Sequence, residues 1–94
     1  MKYLNGFTKN ENKVLALMIN DCETHDAVGW VKNCQPKELA NISFPGVVGS
    51  LVKKGLIVTF EEDHMEGTTL FFQFTKKGAA LVDLDTSTLE VELP

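Results

Sequence analysis

Gln35–Pro36–Lys37–Glu38–Leu39–Ala40–Asn41–Ile42–Ser43 and, after a short interval, Leu51–Val52–Lys53–Lys54–Gly55–Leu56–Ile57 decide the fold. Pro36 suits the first turn of a helix, where its missing amide would have no partner. Leu39, Ala40 and Ile42 give that short helix an apolar face. Ser43 is a good N-cap for a following helix, with Pro45 in its first turn. Val47, Val48, Leu51 and Val52 form the buried side of this later helix, and Gly55 after Lys53–Lys54 is its expected stop. Leu56 and Ile57 then enter a strand. The order is helix, tight turn, helix, strand.

Working outward, Thr8 and Glu11 have the spacing of a capping box, which places a first helix ahead of this unit. Val14, Leu15, Leu17 and Met18 are its apolar stripe, and it should fade near Asn20–Asp21. Residues 23–34 read as a connector in which Val28, Trp30 and Val31 form a short strand or turn. Downstream, Leu56–Val58–Phe60 and Leu70–Phe72–Phe74 alternate with more polar neighbours, the pattern of a hairpin with one buried face. That phase leaves Ile57 and Phe71 on the other face and assigns Trp30, Phe44, Phe60, Phe72 and Phe74 to the core. Glu61–Gly67 is the polar tip. Thr75 caps a short last helix through Lys76–Leu81. The tail to Pro94 alternates at Leu89–Leu93, as an edge strand or a disordered end would.

The chain of 94 residues, 44% hydrophobic and 23% charged, has room for one domain of an ordinary globular kind. No apolar run approaches the span of a bilayer and no signal peptide is evident, so a cytoplasmic protein is expected. Cys22 and Cys34 are too few for a disulfide framework and fit reduced thiols. Cys22, His25, Cys34 and His64 are of the types that bind zinc, but their spacing matches no zinc module, and no metal or other cofactor is expected. No nucleophile–base pair or phosphate-cradling loop is present, so an enzyme is not expected. The net charge is −4, and the nine basic residues are all lysine. Acids concentrate at Glu61, Glu62, Asp63 and Glu66, and again at Asp83, Asp85, Glu90 and Glu92. Outside these clusters the body is mildly basic.

Three segments resemble the winged helix-turn-helix domains of MarR-type regulators. Pro36–Lys37–Glu38–Leu39–Ala40 is similar to that family's second helix. Leu51–Val52–Lys53–Lys54–Gly55–Leu56–Ile57 is similar to the end of its recognition helix, and Phe74–Thr75–Lys76–Lys77–Gly78–Ala79–Ala80–Leu81 to the exit from its wing. The resemblance implies an α+β fold over residues 1–82, followed by an acidic tail, residues 83–94. That fold would be a three-helix core, a two- to three-stranded antiparallel wing and a short C-terminal helix. It also implies a small transcription-regulatory protein that binds duplex DNA through the third helix, as a homodimer if binding is specific. Gly46, Gly49, Ser50 and Lys53 form the outward stripe of that helix, with Pro45 at its start. Lys37 and Lys54 flank it for phosphates, with Lys76 or Lys77 as further charge. Two glycines and the absence of arginine make this a poor base reader, and the acidic tip would repel phosphate. The alternative partner is therefore a protein, held by the small-residue face of the third helix or by the acidic tip.

Overall fold

The computed structural model describes residues 4–40 and 42–94. It is an α+β fold of three α-helices and one three-stranded antiparallel sheet in the order β1-β3-β2. Helix α1, Lys9–Asp21, starts on the expected capping box. The Glu11 amide donates to Thr8 Oγ1 at 3.0 Å, and Glu11 Oε1 accepts from the Thr8 amide at 2.8 Å. Val14, Leu15 and Met18 turn into the core. Buried Asn12 accepts from the Leu4 amide and donates to the Leu4 and Thr8 carbonyls, pinning the incoming chain to α1.

After a turn at Ala27 comes β1, Val28–Trp30, then a single 3₁₀ turn, Val31–Cys34, whose Val31 and Cys34 are buried. Among the described residues no helix forms over Pro36–Ile42, where one was expected. Its place holds a turn closed by the Leu39 amide on the Pro36 carbonyl, with Gln35 Nε2 donating to Leu39 O. A helix so short cannot nucleate without an apolar face to bury. Only Pro36 and Leu39 supply one here, because Ile42 is 92% exposed. Asn41 lies outside the described residues.

Helix α2, Ser43–Lys53, is the expected third helix; Ser43 is its first residue rather than its cap. It ends in a Schellman motif. The Leu56 amide donates to Leu51 O and the Gly55 amide to Val52 O, with Gly55 at φ +76° and Leu51 and Leu56 both buried. The chain then enters β2, Ile57–His64, which pairs with β3, Gly67–Phe74, in the register Ile57↔Phe74 and Thr59↔Phe72.

This register overturns the expected phase of β2 and keeps that of β3, whose Phe72 and Phe74 face inward and Phe71 outward as expected. Leu56 is buried as part of the helix stop, so the inward alternation starts at Ile57, and a one-residue shift exchanges the faces. Ile57, Phe72 and Phe74 are core, whereas Val58, Phe60 and Phe71 lie on the outer face. Trp30 is there too, opposite Phe71 and exposed rather than in the core. Phe60 stacks on Phe71 at 5.4 Å, and Trp30 meets Phe71 edge-on at 6.1 Å.

Helix α3, Lys76–Leu81, is capped by Thr75, which accepts from the Gly78 amide and donates to Gly55 O. Gly78 lies so close to the chain just before β2 that a Cβ there would collide with the Leu56 carbonyl. Residues 83–94 form no strand. They pack back on the body: Leu93 is buried, Pro94 O accepts from the Lys76 amide, and the Glu90 amide donates to His25 O.

Candidate functional site

The exposed side of α2 is where sequence reasoning placed the functional residues. Pro45, Gly46, Gly49 and Lys53 are exposed on it, and Lys37 is exposed in the preceding turn. A Cβ at Gly46 or Gly49 would meet nothing within 4 Å, so neither glycine is required by packing within the chain. The buried side of α2 is Phe44, Val48 and Leu51. Val52, expected to face inward, is 38% exposed.

Ser50 and Lys54, expected to be free for a ligand, are instead bonded within the chain. Both turn toward Glu11 on α1, whose carboxylate is almost wholly buried. Ser50 Oγ donates to Glu11 Oε2 at 2.7 Å, and Lys54 Nζ lies 2.8 Å from both carboxylate oxygens. The lysine ammonium also sits 4.4 Å from the centre of the Phe7 ring. Burial alone would raise the Glu11 carboxyl. The bonds from Lys54, Ser50 and the Thr8 amide outweigh it and hold the pKa at about 2. One glutamate thus closes the capping box of α1 and clasps the C-terminal half of α2. The other flanking lysines are also occupied: Lys76 pairs with Glu92, and Lys77 Nζ donates to Lys54 O. Lys37 and Lys53 make no ion pair among the described residues.

Beside this face runs an open groove of about 790 Å³ between α2, the 3₁₀ turn and the hairpin. Phe44, Val48 and Val52 form its helical wall, Val31 its floor, and Thr59 and Leu70 its hairpin wall. Lys32 and Lys53 line it as well. Val52 and Leu70, at 38% and 39% exposure, are large apolar side chains left half in water here. None of residues 83–94 lines the groove, so the acidic tail does not cover α2. The acids expected in a tip loop over Glu61–Gly67 are all exposed, but Glu61, Glu62 and Asp63 belong to the paired end of β2 and only Glu66 lies in the turn.

A second cleft, about 620 Å³, opens on the outer sheet face over Trp30, Phe60 and Phe71, edged by Asp21, Glu23, Asp26 and Glu62. Lys32 already stands 4.5 Å above the Trp30 ring there. Among the described residues no cluster of three or more His, Cys, Asp or Glu could hold a metal ion, and both cysteines are free. No helix described is long and apolar enough to cross a membrane.

Sequence reasoning found α2 and its glycines but missed Glu11 and the groove. The capping box was the only local sign of Glu11, and it gives no hint of partners 39 and 43 residues away. The groove depends on Val52 and Leu70 being left uncovered by three separate segments, which no local pattern encodes. No protein-family model, curated protein or solved structure matches the chain.

Proposed function

We propose that this chain is a winged-helix-like protein-interaction module, with α2 in the place of a recognition helix and the β2–β3 hairpin as its wing. The groove between them holds an apolar segment of a partner protein. The observation that carries this reading is the Glu11 clasp. It takes Ser50 and Lys54 out of the set of side chains available to a phosphate backbone or a base edge. What remains beside α2 is an apolar groove with two half-exposed aliphatic side chains, the composition of a recognition site for protein rather than for nucleic acid. The acidic tip supports the same choice, since phosphate would be repelled there. The departure from a helix over Pro36–Ile42 weakens the likeness to MarR-type regulators and leaves the interaction reading untouched. Two free thiols are in keeping with a cytoplasmic setting.

Binding of duplex DNA is the second reading, supported by Lys37 and Lys53, which are exposed and make no ion pair among the described residues. Peptide display on the wild-type protein, counter-selected with a Val52→Asp variant of unchanged circular dichroism, separates the two. Enrichment of apolar peptides that fail on the variant supports the interaction module. No enrichment, together with random-duplex binding that weakens steeply with salt and disappears in Lys37→Glu/Lys53→Glu, replaces it with DNA binding.

A further inference from the structure

We propose that the groove takes its occupant as an added β-strand. The occupant is an extended segment of a partner protein, apolar at alternate positions with carboxylates interspersed, whose main chain pairs with β3 at Thr68 and Leu70. The inference rests on the protein-binding reading of the groove and specifies how the bound segment is held.

Peptide groups along a strand point alternately to its two sides. The Phe74 amide donates to Ala27 O, which fixes the direction: Phe74, Phe72, Leu70 and Thr68 send their N–H and C=O groups toward the β1 side. Strand β1 is only three residues long, and its last pair is Trp30↔Phe71. Beyond Trp30 the chain winds into the 3₁₀ turn and leaves the sheet. Among the described residues no strand lies opposite Leu70 or Thr68. On that side β3 is an open edge from Gly67 to Leu70, while β2 covers the other side throughout.

This open edge is a wall of the groove, which Thr68, Thr69 and Leu70 all line. The Thr69 hydroxyl is bonded to His64 Nε2 on the opposite face, so Thr69 brings its main chain to the groove. Across from it, Phe44, Val48 and Val52 form an apolar ridge at four-residue intervals along α2. A strand laid along β3 sends every second side chain against that ridge. A helix seated in the same groove would instead bury the Leu70 and Thr68 peptide groups without partners, which is costly.

Charge selects among extended segments. The Lys32 stem lines the groove with its ammonium held over Trp30, but Lys53 lines it too and makes no ion pair among the described residues, so carboxylates on the segment are complementary. The same charges argue against a second copy of this chain. Edge-to-edge pairing of two copies would bring to Lys53 only Gly67, Thr68, Thr69 and Leu70 of the other copy, none of them a carboxylate.

The test uses the full chain and three capped peptides of alternating valine and glutamate: the parent, one N-methylated at every valine and one at every glutamate. In an added strand only one of these two sets of amides faces β3. The parent is expected to shift the amide resonances of Val52, Leu70 and Thr68 and to slow hydrogen exchange at Leu70 and Thr68. One methylated peptide should bind like the parent and the other roughly tenfold or more weakly. Equal binding by both overturns strand addition and leaves the groove reading standing. No perturbation by any of the three also overturns it, while groove-dependent enrichment in the display experiment still decides the reading beneath it. Self-association of the free protein with slowed exchange at Leu70 assigns the edge to a second copy and overturns the proposed partner.

Discussion

Replacing Lys54 with methionine keeps an apolar stem against Phe7 and removes one charge from the Glu11 clasp. A fall in the Glu11 pKa from 4.5 to about 2 corresponds to about 3 kcal/mol of preference of the ionised carboxylate for the folded state. Lys54 gives the largest of the contributions that lower it, and Ser50 and the Thr8 amide supply the rest. The lysine side chain is 38% exposed, so water moderates its share. Lys54→Met should therefore cost about 2 kcal/mol at neutral pH, below the roughly 3–5 kcal/mol of breaking a fully buried pair. In a domain of this size that lowers Tm by roughly 8–16 °C.

The pH dependence carries the stronger test. A depressed carboxyl contributes stability that is complete above its unfolded pKa of 4.5 and is lost as pH falls toward about 2. In Lys54→Met the principal lowering partner is gone while burial still pushes the carboxyl up, so the variant has less to lose in acid. Urea melts of both proteins between neutral pH and pH 2 should show a gap that is constant above pH 4.5 and narrows below it. In a Glu11→Gln background, where glutamine preserves the Thr8 cap, Lys54→Met should be nearly neutral. Parallel stability curves, or an undiminished Lys54→Met effect in Glu11→Gln, would refute the clasp.

Gly78→Ala should destabilise by about 3 kcal/mol or prevent folding, because the new methyl would collide with the Leu56 carbonyl. Gly46→Ala and Gly49→Ala, with open space at each Cβ, should instead each raise stability by up to about 1 kcal/mol in the same urea melts. In thiol labelling of the native protein at pH 8, Cys34 should stay unmodified until denaturant is added. It is wholly buried, and burial, reinforced by the Asp21 charge, pushes its pKa up to about 12. Cys22, half-buried, should label first and slowly, since burial raises its pKa too. Leu93→Ala should cost about 2 kcal/mol and Val91→Ala under about 0.5, measured as shifts in the urea midpoint, since only Leu93 reaches the core.

Several local signals in the sequence match the structure. The Thr8–Glu11 box, the Gly55 stop, the hairpin and the Thr75 cap each rest on residues three or four apart, or on short-range alternation, and each is present. Errors arose where a neighbouring element changed the meaning of a residue. Leu56 looks like the first inward strand position, but the Schellman motif claims it and moves the phase to Ile57. Pro36 looks like a helix start, but Pro36 and Leu39 are too little to give the segment a core-facing side, and the helical turn forms earlier, over Val31–Cys34. Lys54 looks like a solvent-facing cation at a helix end, until a carboxylate 43 residues earlier is folded against it. The groove is the extreme case, being defined by what three segments leave uncovered.

The clasp also bears on which partner the α2 face can accept. A phosphate that recruits Lys54 must draw its ammonium from Glu11 and leave a buried carboxylate short of its cation. The penalty is then the same roughly 2 kcal/mol that Lys54→Met exposes, or about thirtyfold in affinity. Lys37 and Lys53 would have to overcome it as two contacts in a chain of net charge −4. A segment bound in the groove meets no such opposition. Val52 and Leu70 are already half in water, Lys53 is already unpaired among the described residues, and the Leu70 peptide group already lacks a strand on the β1 side. Raising the DNA affinity of this scaffold should therefore require relieving Glu11 first. Glu11→Gln should strengthen duplex binding at low salt while leaving peptide binding in the groove unchanged. The opposite outcome, a change in peptide affinity with no gain for DNA, would mean that the clasp shapes the groove rather than withholding the lysine.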